Sequence, residues 1–166
     1  MYLEYPRLSP NRDRSHPHEG RGVLFHHSES DCDRTLALMA DPASERSYHC
    51  LIREDGIRFT LVPDHEIAWH AGASTFRGRP RCNDFLIGVG FVGDTTRSPL
   101  TSDQIASALD WLSARWSRCR WTLDWMTDHR QVSPGRKYDL EPAQWERLRA
   151  AIAEKARAWT PPDVSG

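Results

Sequence analysis

The chain has 166 residues, of which 39% are hydrophobic and 27% charged, and its 22 lysines and arginines against 23 aspartates and glutamates leave a formal net charge of −1. These values indicate one globular domain and argue against a nucleic-acid partner, which usually requires a strongly basic face. The four cysteines are widely spaced and form no C-x-x-C zinc motif, so we expect reduced thiols.

Both ends of the chain are predicted to lie outside the folded domain. Residues 1–20 are rich in proline, arginine and histidine and predict an irregular N-terminal arm, before a single domain over residues 21–160 and a tail over 161–166. No run resembles a signal peptide or is long enough to span a bilayer. We therefore expect cytoplasmic synthesis without a signal peptide, no membrane insertion and a monomer.

The domain is predicted to begin with a strand and a short helix. The strand GVLF starts at Gly22 and runs into two histidines, His26 and His27. Successive strand residues face opposite sides, so His26 alone need face a site, and His27 is expected to bond to the backbone. Residues 32–40 are weakly helical, and Pro42 interrupts the pattern.

A hairpin and a long loop should follow. The segments SYHCLI (47–52) and IRFTLV (57–62) flank an Asp-Gly pair, which is a hairpin signal. Residues 63–81 predict a polar surface loop with short extended pieces, and loops of this length are often functional. Within SYHCLI, the period of two predicts that Tyr48 shares a face with Cys50.

The second half is predicted to alternate strands and helices. DFLIGVGFVG (84–93) is almost wholly apolar, which is typical of a central strand buried on both faces. A helix should begin at Thr101, whose hydroxyl can form a capping box with Gln104. The remaining elements are a strand (121–128), a loop (133–139) and a helix from Pro142. The order predicts an α/β fold with a single central mixed β-sheet flanked by α-helices.

Two histidines and an aspartate are candidates for a metal site. His26 and His129 follow predicted strands, and Asp139 follows a Pro-Gly turn that can fold it back toward them. Imidazole and carboxylate suit Zn²⁺, and three protein ligands leave a fourth position for water, the catalytic pattern. Spacing alone favours the alternative of a salt bridge in a surface loop. A serine hydrolase built on Ser28 and its neighbour is rejected because no nucleophile elbow surrounds the serine.

Five stretches of the chain occur in the order found in type 2 N-acetylmuramoyl-L-alanine amidases. They are GVLFHHSES, SYHCLIREDG, LVPDHEIAWHAGAS, RCNDFLIGVGFVGD and TDHRQVSPGRKYD. The chain resembles that family over roughly residues 21–150. The family includes bacteriophage endolysins, muropeptide-recycling amidases and animal peptidoglycan recognition proteins. The resemblance implies a peptidoglycan recognition protein-like amidase fold and a peptidoglycan or muropeptide substrate.

The resemblance also implies roles for individual residues. His26, His129 and Asp139 match the family's zinc ligands. Lys137 matches a lysine that in many members helps bind the developing oxyanion, and Tyr48 matches a tyrosine that phage-type members place beside the zinc-bound water. The implied reaction is hydrolysis, by metal-activated water, of the amide bond between the lactyl group of N-acetylmuramic acid and L-alanine.

The residue at position 90 leaves the substrate open. Recycling amidases carry a glutamate, thought to be an acid/base, where this chain has Gly90. Phage-type members also lack it, so the resemblance favours a bacteriolytic endolysin that acts on the cell wall after lysis or dedicated export.

Three residues of the long loop are candidates for binding substrate: His70, Trp69 and Arg81. The alternative role is ordering of the loop for His70, burial for Trp69 and simple solvation for Arg81.

Two alternatives lie outside the enzyme class. A non-catalytic module that binds peptidoglycan is one, as some animal members are. Such members commonly lose a metal ligand, whereas all three matched positions are filled here. The other is an interaction domain with a structural metal, against which the open fourth coordination position argues.

Overall fold

The structure, a computed structural model, describes residues 8–159, so the predicted tail over 161–166 lies outside the described residues. The strands are, in chain order, β1 (Arg12–Asp13), β2 (Gly22–His27), β3 (Cys50–Ile52), β4 (Arg58–Thr60), β5 (Ile67–Ala68), β6 (Thr75–Phe76), β7 (Arg79–Pro80), β8 (Leu86–Phe91) and β9 (Met126–Asp128). The α-helices are α1 (Cys32–Ala40), α2 (Ser102–Cys119), α3 (His129–Val132) and α4 (Pro142–Trp159).

A five-stranded mixed sheet forms the centre of the fold, in the order β4-β3-β8-β2-β9. The β3–β4 pair is an antiparallel hairpin, and the other pairs are parallel. Strand β8 lies in the middle with all six residues buried, as its apolar run predicted. Residues of α2 and α4 pack in one core cluster with β2, β3 and β8. The predicted α/β fold, a central mixed sheet with flanking helices, is therefore confirmed.

Local sequence signals explain where several elements begin and end. The capping box between Thr101 and Gln104 is formed, and α2 begins at the next residue after Thr101. Gly56 takes a φ of 80° in the hairpin turn, a conformation that glycine adopts at little cost. The strand predicted over 121–128 is shorter, because residues Leu123–Trp125 close a 3₁₀ turn and only β9 pairs with the sheet.

The predicted side of Tyr48 was wrong. Cys50 packs under the helices, whereas Tyr48 packs with Leu51 on the opposite face. The reason is that the regular strand begins only at Cys50, and the chain bends at His49. A bend before a strand breaks the alternation of side chains, so the period of two does not extend back to Tyr48.

The described part of the N-terminal arm packs on the domain. Strand β1 pairs with β5, and the Asn11 amide donates to the carbonyls of Asp41 and Arg46, both at 2.9 Å. The division into an arm over 1–20, a domain and a tail stays a prediction. Within residues 8–159, we find no helix with the length and apolar character needed to cross a bilayer.

Candidate metal centre

Three side chains from different elements meet at the carboxyl end of the central strands. His26 is the next-to-last residue of β2, and His129 follows β9 directly as the first residue of α3. Asp139 comes from the loop before α4, and its carbonyl accepts a hydrogen bond from the Arg130 amide at 2.6 Å. One ligand atom from each of His26, His129 and Asp139 lies within 4.8 Å of the others, and all three residues are buried.

The hydrogen bonds of the two histidines assign their tautomers. His129 Nε2 lies 3.1 Å from the Ala71 carbonyl, which only accepts, so this nitrogen carries the proton. His26 Nε2 lies 2.9 Å from His70 Nδ1, and His70 Nε2 must donate to the Leu86 carbonyl at 3.0 Å. His70 Nδ1 is therefore an acceptor, and His26 Nε2 is the donor. Both ligand histidines consequently turn an unprotonated Nδ1 toward Asp139.

This donor set fits zinc. The separations are 2.9 Å between the two Nδ1 atoms, 3.3 Å from His129 Nδ1 to Asp139, and 3.5 Å from His26 Nδ1 to Asp139. Bonds of about 2.0–2.1 Å in a tetrahedral site put donor atoms about 3.3 Å apart. Two imidazole lone pairs and a carboxylate that converge in a buried site repel one another, and a shared cation relieves that repulsion.

The charge states suit the same interpretation. Burial and the neighbouring His129 lower the pKa of His26 to about 4, so its imidazole is neutral near pH 7. Burial alone would raise the pKa of the Asp139 carboxyl, but a positive charge placed at the adjoining His129 and His26 outweighs it and holds the pKa well below its usual range. The site thus combines two imidazoles with one carboxylate.

An open pocket of about 300 Å³ leads to these three residues. Lys137 and Trp69 line it, and the positive charge of Lys137 contributes to the low pKa of His26. Arg81 lies outside this pocket, in a smaller neighbouring one that shares Trp69, and it pairs with Asp84 at 3.0 Å. Predicted residues His70, Trp69 and Lys137 are thus gathered at one site, and Arg81 lies beside it.

The Tyr48 ring packs against Gly90 at the pocket. The Tyr48 ring centroid lies 5.2 Å from that of His26. A Cβ atom at Gly90 would lie 2.6 Å from ring carbons of Tyr48, closer than such atoms approach. The tyrosine ring therefore occupies the space that a glutamate at position 90 would need. Burial and the charge of Asp139 raise the pKa of the phenol.

One residue of the pocket was missed from the sequence. The Arg136 guanidinium donates to the carbonyls of Ala71 and Ala73, at 2.6 and 2.8 Å, and to the Ser133 hydroxyl at 2.8 Å. Arg136 thereby links the loop that contains the sequence AWHAG (residues 68–72) to the loop that carries Lys137. The only signal was an arginine beside that lysine in SPGRKYD, and its carbonyl partners cannot be read from side-chain patterns.

The chain is similar to a known protein family and to individual known proteins. Residues 16–143 match a family model described as N-acetylmuramoyl-L-alanine amidase. The chain is 42% identical over 110 residues to 1,6-anhydro-N-acetylmuramyl-L-alanine amidase AmpD of Salmonella typhimurium, covering 64% of this chain and 57% of the relative. It is 38% identical over 112 residues to AmpD of Escherichia coli K12, covering 66% of this chain and 60% of the relative. The matched part therefore spans less than two thirds of these relatives.

Solved structures are also similar. The crystal structure of a selenomethionine derivative of AmpD has a TM-score of 0.74 and 31% identity, with 92% of this chain and 93% of that chain covered. AmiD of Escherichia coli, in complex with anhydro-N-acetylmuramic acid-L-Ala-D-γ-Glu-L-Lys, has a TM-score of 0.72 and 24% identity, with 84% of this chain and 60% of that chain covered. At that identity the AmiD comparison supports the fold alone.

Proposed function

The chain belongs to the N-acetylmuramoyl-L-alanine amidase family, and from this premise we propose that it is a zinc-dependent hydrolase. The bond cleaved is the amide between the lactyl group of N-acetylmuramic acid and L-alanine. The observation that carries the proposal is the convergence of two imidazoles and a carboxylate in an open pocket. Three ligands leave a position for water, which argues for catalysis rather than a non-catalytic module.

The surrounding residues have separate roles in this proposal. His26, His129 and Asp139 hold zinc, which when bound lowers the pKa of water from 15.7 to about 7 and polarises a carbonyl. Lys137 places a positive charge where the carbonyl oxygen becomes negative. The Tyr48 hydroxyl, protonated at neutral pH, orients the attacking water or the developing oxyanion. Water adds to the carbonyl carbon, the C–N bond breaks, and the L-alanine nitrogen takes up a proton.

The preferred substrate we propose is a freed anhydro-muropeptide. AmpD, the relative from Salmonella typhimurium, is named a 1,6-anhydro-N-acetylmuramyl-L-alanine amidase, so a recycling-type substrate has more support than the endolysin interpretation. Trp69 borders both the main pocket and the neighbouring one that holds Arg81. We assign this continuous surface to the stem peptide, with the Arg81 guanidinium near a stem carboxylate. The unit that acts is the predicted domain over residues 21–160, as a monomer.

Product analysis tests the proposal. Purified protein is incubated with anhydro-muropeptide and, separately, with intact sacculi, and the products are identified by mass spectrometry. We expect free stem peptides that begin with L-alanine from the anhydro-muropeptide, lost with a chelator and restored by zinc. His129→Ala should release none. Sacculi that bind the protein, with neither substrate cleaved, would refute the enzyme and favour the recognition module.

A further inference from the structure

His70 lies in the layer beneath the metal ligands rather than on an open wall of the pocket. It is only 8% exposed, and its backbone amide donates to the Asn83 side chain at 3.1 Å. Its ring packs closely on β8, as shown by the distance of only 2.5 Å between His70 Cγ and a Cβ atom placed on Gly88. The ring therefore packs directly on the backbone of β8, and the glycine at position 88 is needed for it to lie there.

Both nitrogens of the His70 ring are committed. Nε2 donates to the Leu86 carbonyl at 3.0 Å, which leaves Nδ1 as an acceptor 2.9 Å from His26 Nε2. The next residue, Ala71, offers its carbonyl to His129 Nε2 at 3.1 Å. Two consecutive residues of one loop therefore accept the outer N–H groups of both ligand histidines.

We propose that His70 is a positioning residue that holds His26 in the tautomer with Nδ1 free for the metal. The inference rests on the proposed metal site. A ligating histidine generally donates its other N–H to a partner that fixes its ring and tautomer, and loss of such a partner typically costs about 10- to 100-fold in metal affinity. Here the partner of His26 is a second neutral imidazole, anchored in turn on a main-chain carbonyl. Zinc affinity should therefore depend on an acceptor at the position of His70 Nδ1.

Two amide substitutions separate this acceptor from the bulk of the ring. In His70→Asn, Oδ1 takes the place of Nδ1 and keeps the acceptor for His26. In His70→Gln, the amide is one methylene further out and reaches toward the Leu86 carbonyl instead. His70→Phe keeps the ring and loses both functions. We would measure zinc affinity of each variant by competition with a chromophoric chelator, and the His26 tautomer in zinc-free protein by ¹⁵N NMR of the imidazoles.

We expect His70→Phe and His70→Gln to bind zinc about 10- to 100-fold more weakly than wild type, with His26 no longer held in one tautomer. His70→Asn should stay closer to wild type in both measurements. His49→Asn, at a buried histidine whose ring bonds to main-chain groups of Glu66 and Gly88, is the control that should leave zinc affinity unchanged.

Failure of the inference about His70 and failure of the proposed function give different results. If His70→Phe binds zinc as tightly as wild type, or more tightly than His70→Asn, the ring acts only by filling space and the inference fails while the proposed function stands. If the wild-type protein binds no zinc, the proposed function fails and the inference with it. Thermal unfolding of the zinc-free variants establishes that each measurement is made on folded protein.

Discussion

The close contact between the Tyr48 ring and Gly90 gives a prediction about stability. Gly90→Ala should destabilise the protein, because the new Cβ would lie 2.6 Å from two ring carbons of Tyr48. The ring cannot easily retreat, since His26 packs against it at a centroid distance of 5.2 Å. Overpacking of this kind typically costs about 1–3 kcal/mol. In a domain of this size, each kcal/mol lowers the Tm by about 2–4 °C.

A double-mutant cycle isolates the contact. In a Tyr48→Ala background the space beside β8 is free, so Gly90→Ala should be nearly neutral, and the coupling energy should approach the cost of the single substitution. In a Tyr48→Phe background the ring remains, so the full cost should persist. Urea unfolding of the zinc-free proteins, followed by circular dichroism, gives each free energy of unfolding. An equal cost of Gly90→Ala in all three backgrounds would refute the steric reasoning.

Three further predictions concern charge and hydrogen bonding. Burial lowers the pKa of His49 to about 3, so as the pH falls below about 6.5 the unfolded chain binds the proton first. The contribution of His49 to the free energy of unfolding should be fully present above that pH and fall by up to about 1.4 kcal/mol per pH unit toward pH 3. When urea unfolding is measured at a series of pH values, the free energy of unfolding should fall less steeply with pH for His49→Asn than for wild type. Lys137→Met should lower kcat on the order of 100-fold with little change in zinc affinity; steady-state kinetics showing a change in KM alone would contradict its role at the oxyanion. Arg136→Ala should free the AWHAG loop and the 133–139 loop together, so hydrogen exchange should accelerate in both, and acceleration in neither would show that its bonds to the Ala71 and Ala73 carbonyls are dispensable.

Much of the fold was predictable because its signals are local. The capping box at Thr101 fixes the start of α2, and the apolar run of β8 predicts its central place in the sheet. A histidine at a strand end and another just after a strand meet because parallel strands bring their carboxyl ends to one edge. The relation between His26 and His129 is therefore accessible from topology once β2 and β9 are known to be neighbours.

Other parts of the site depend on contacts that no pattern encodes. Tyr48 faces the pocket because of a bend at His49, which the period of two cannot reveal. His70 was a candidate for binding substrate, against a loop-ordering role, and no pattern indicated that its ring bonds to His26, 44 positions away in sequence. The reason Gly88 must be glycine also appears only when that ring is in place. These features follow from packing between separate segments.

We propose that His26, His129 and Asp139 hold a metal with which the protein hydrolyses the muramyl–L-alanine amide. The most direct test is to run the reaction on anhydro-muropeptide in ¹⁸O-labelled water with zinc-loaded protein, and to locate the label by mass spectrometry. We expect one ¹⁸O atom in the lactyl carboxylate of the sugar and none in the stem peptide, with no reaction by the chelated protein. Label in the peptide, or equal turnover after complete removal of the metal, would contradict it.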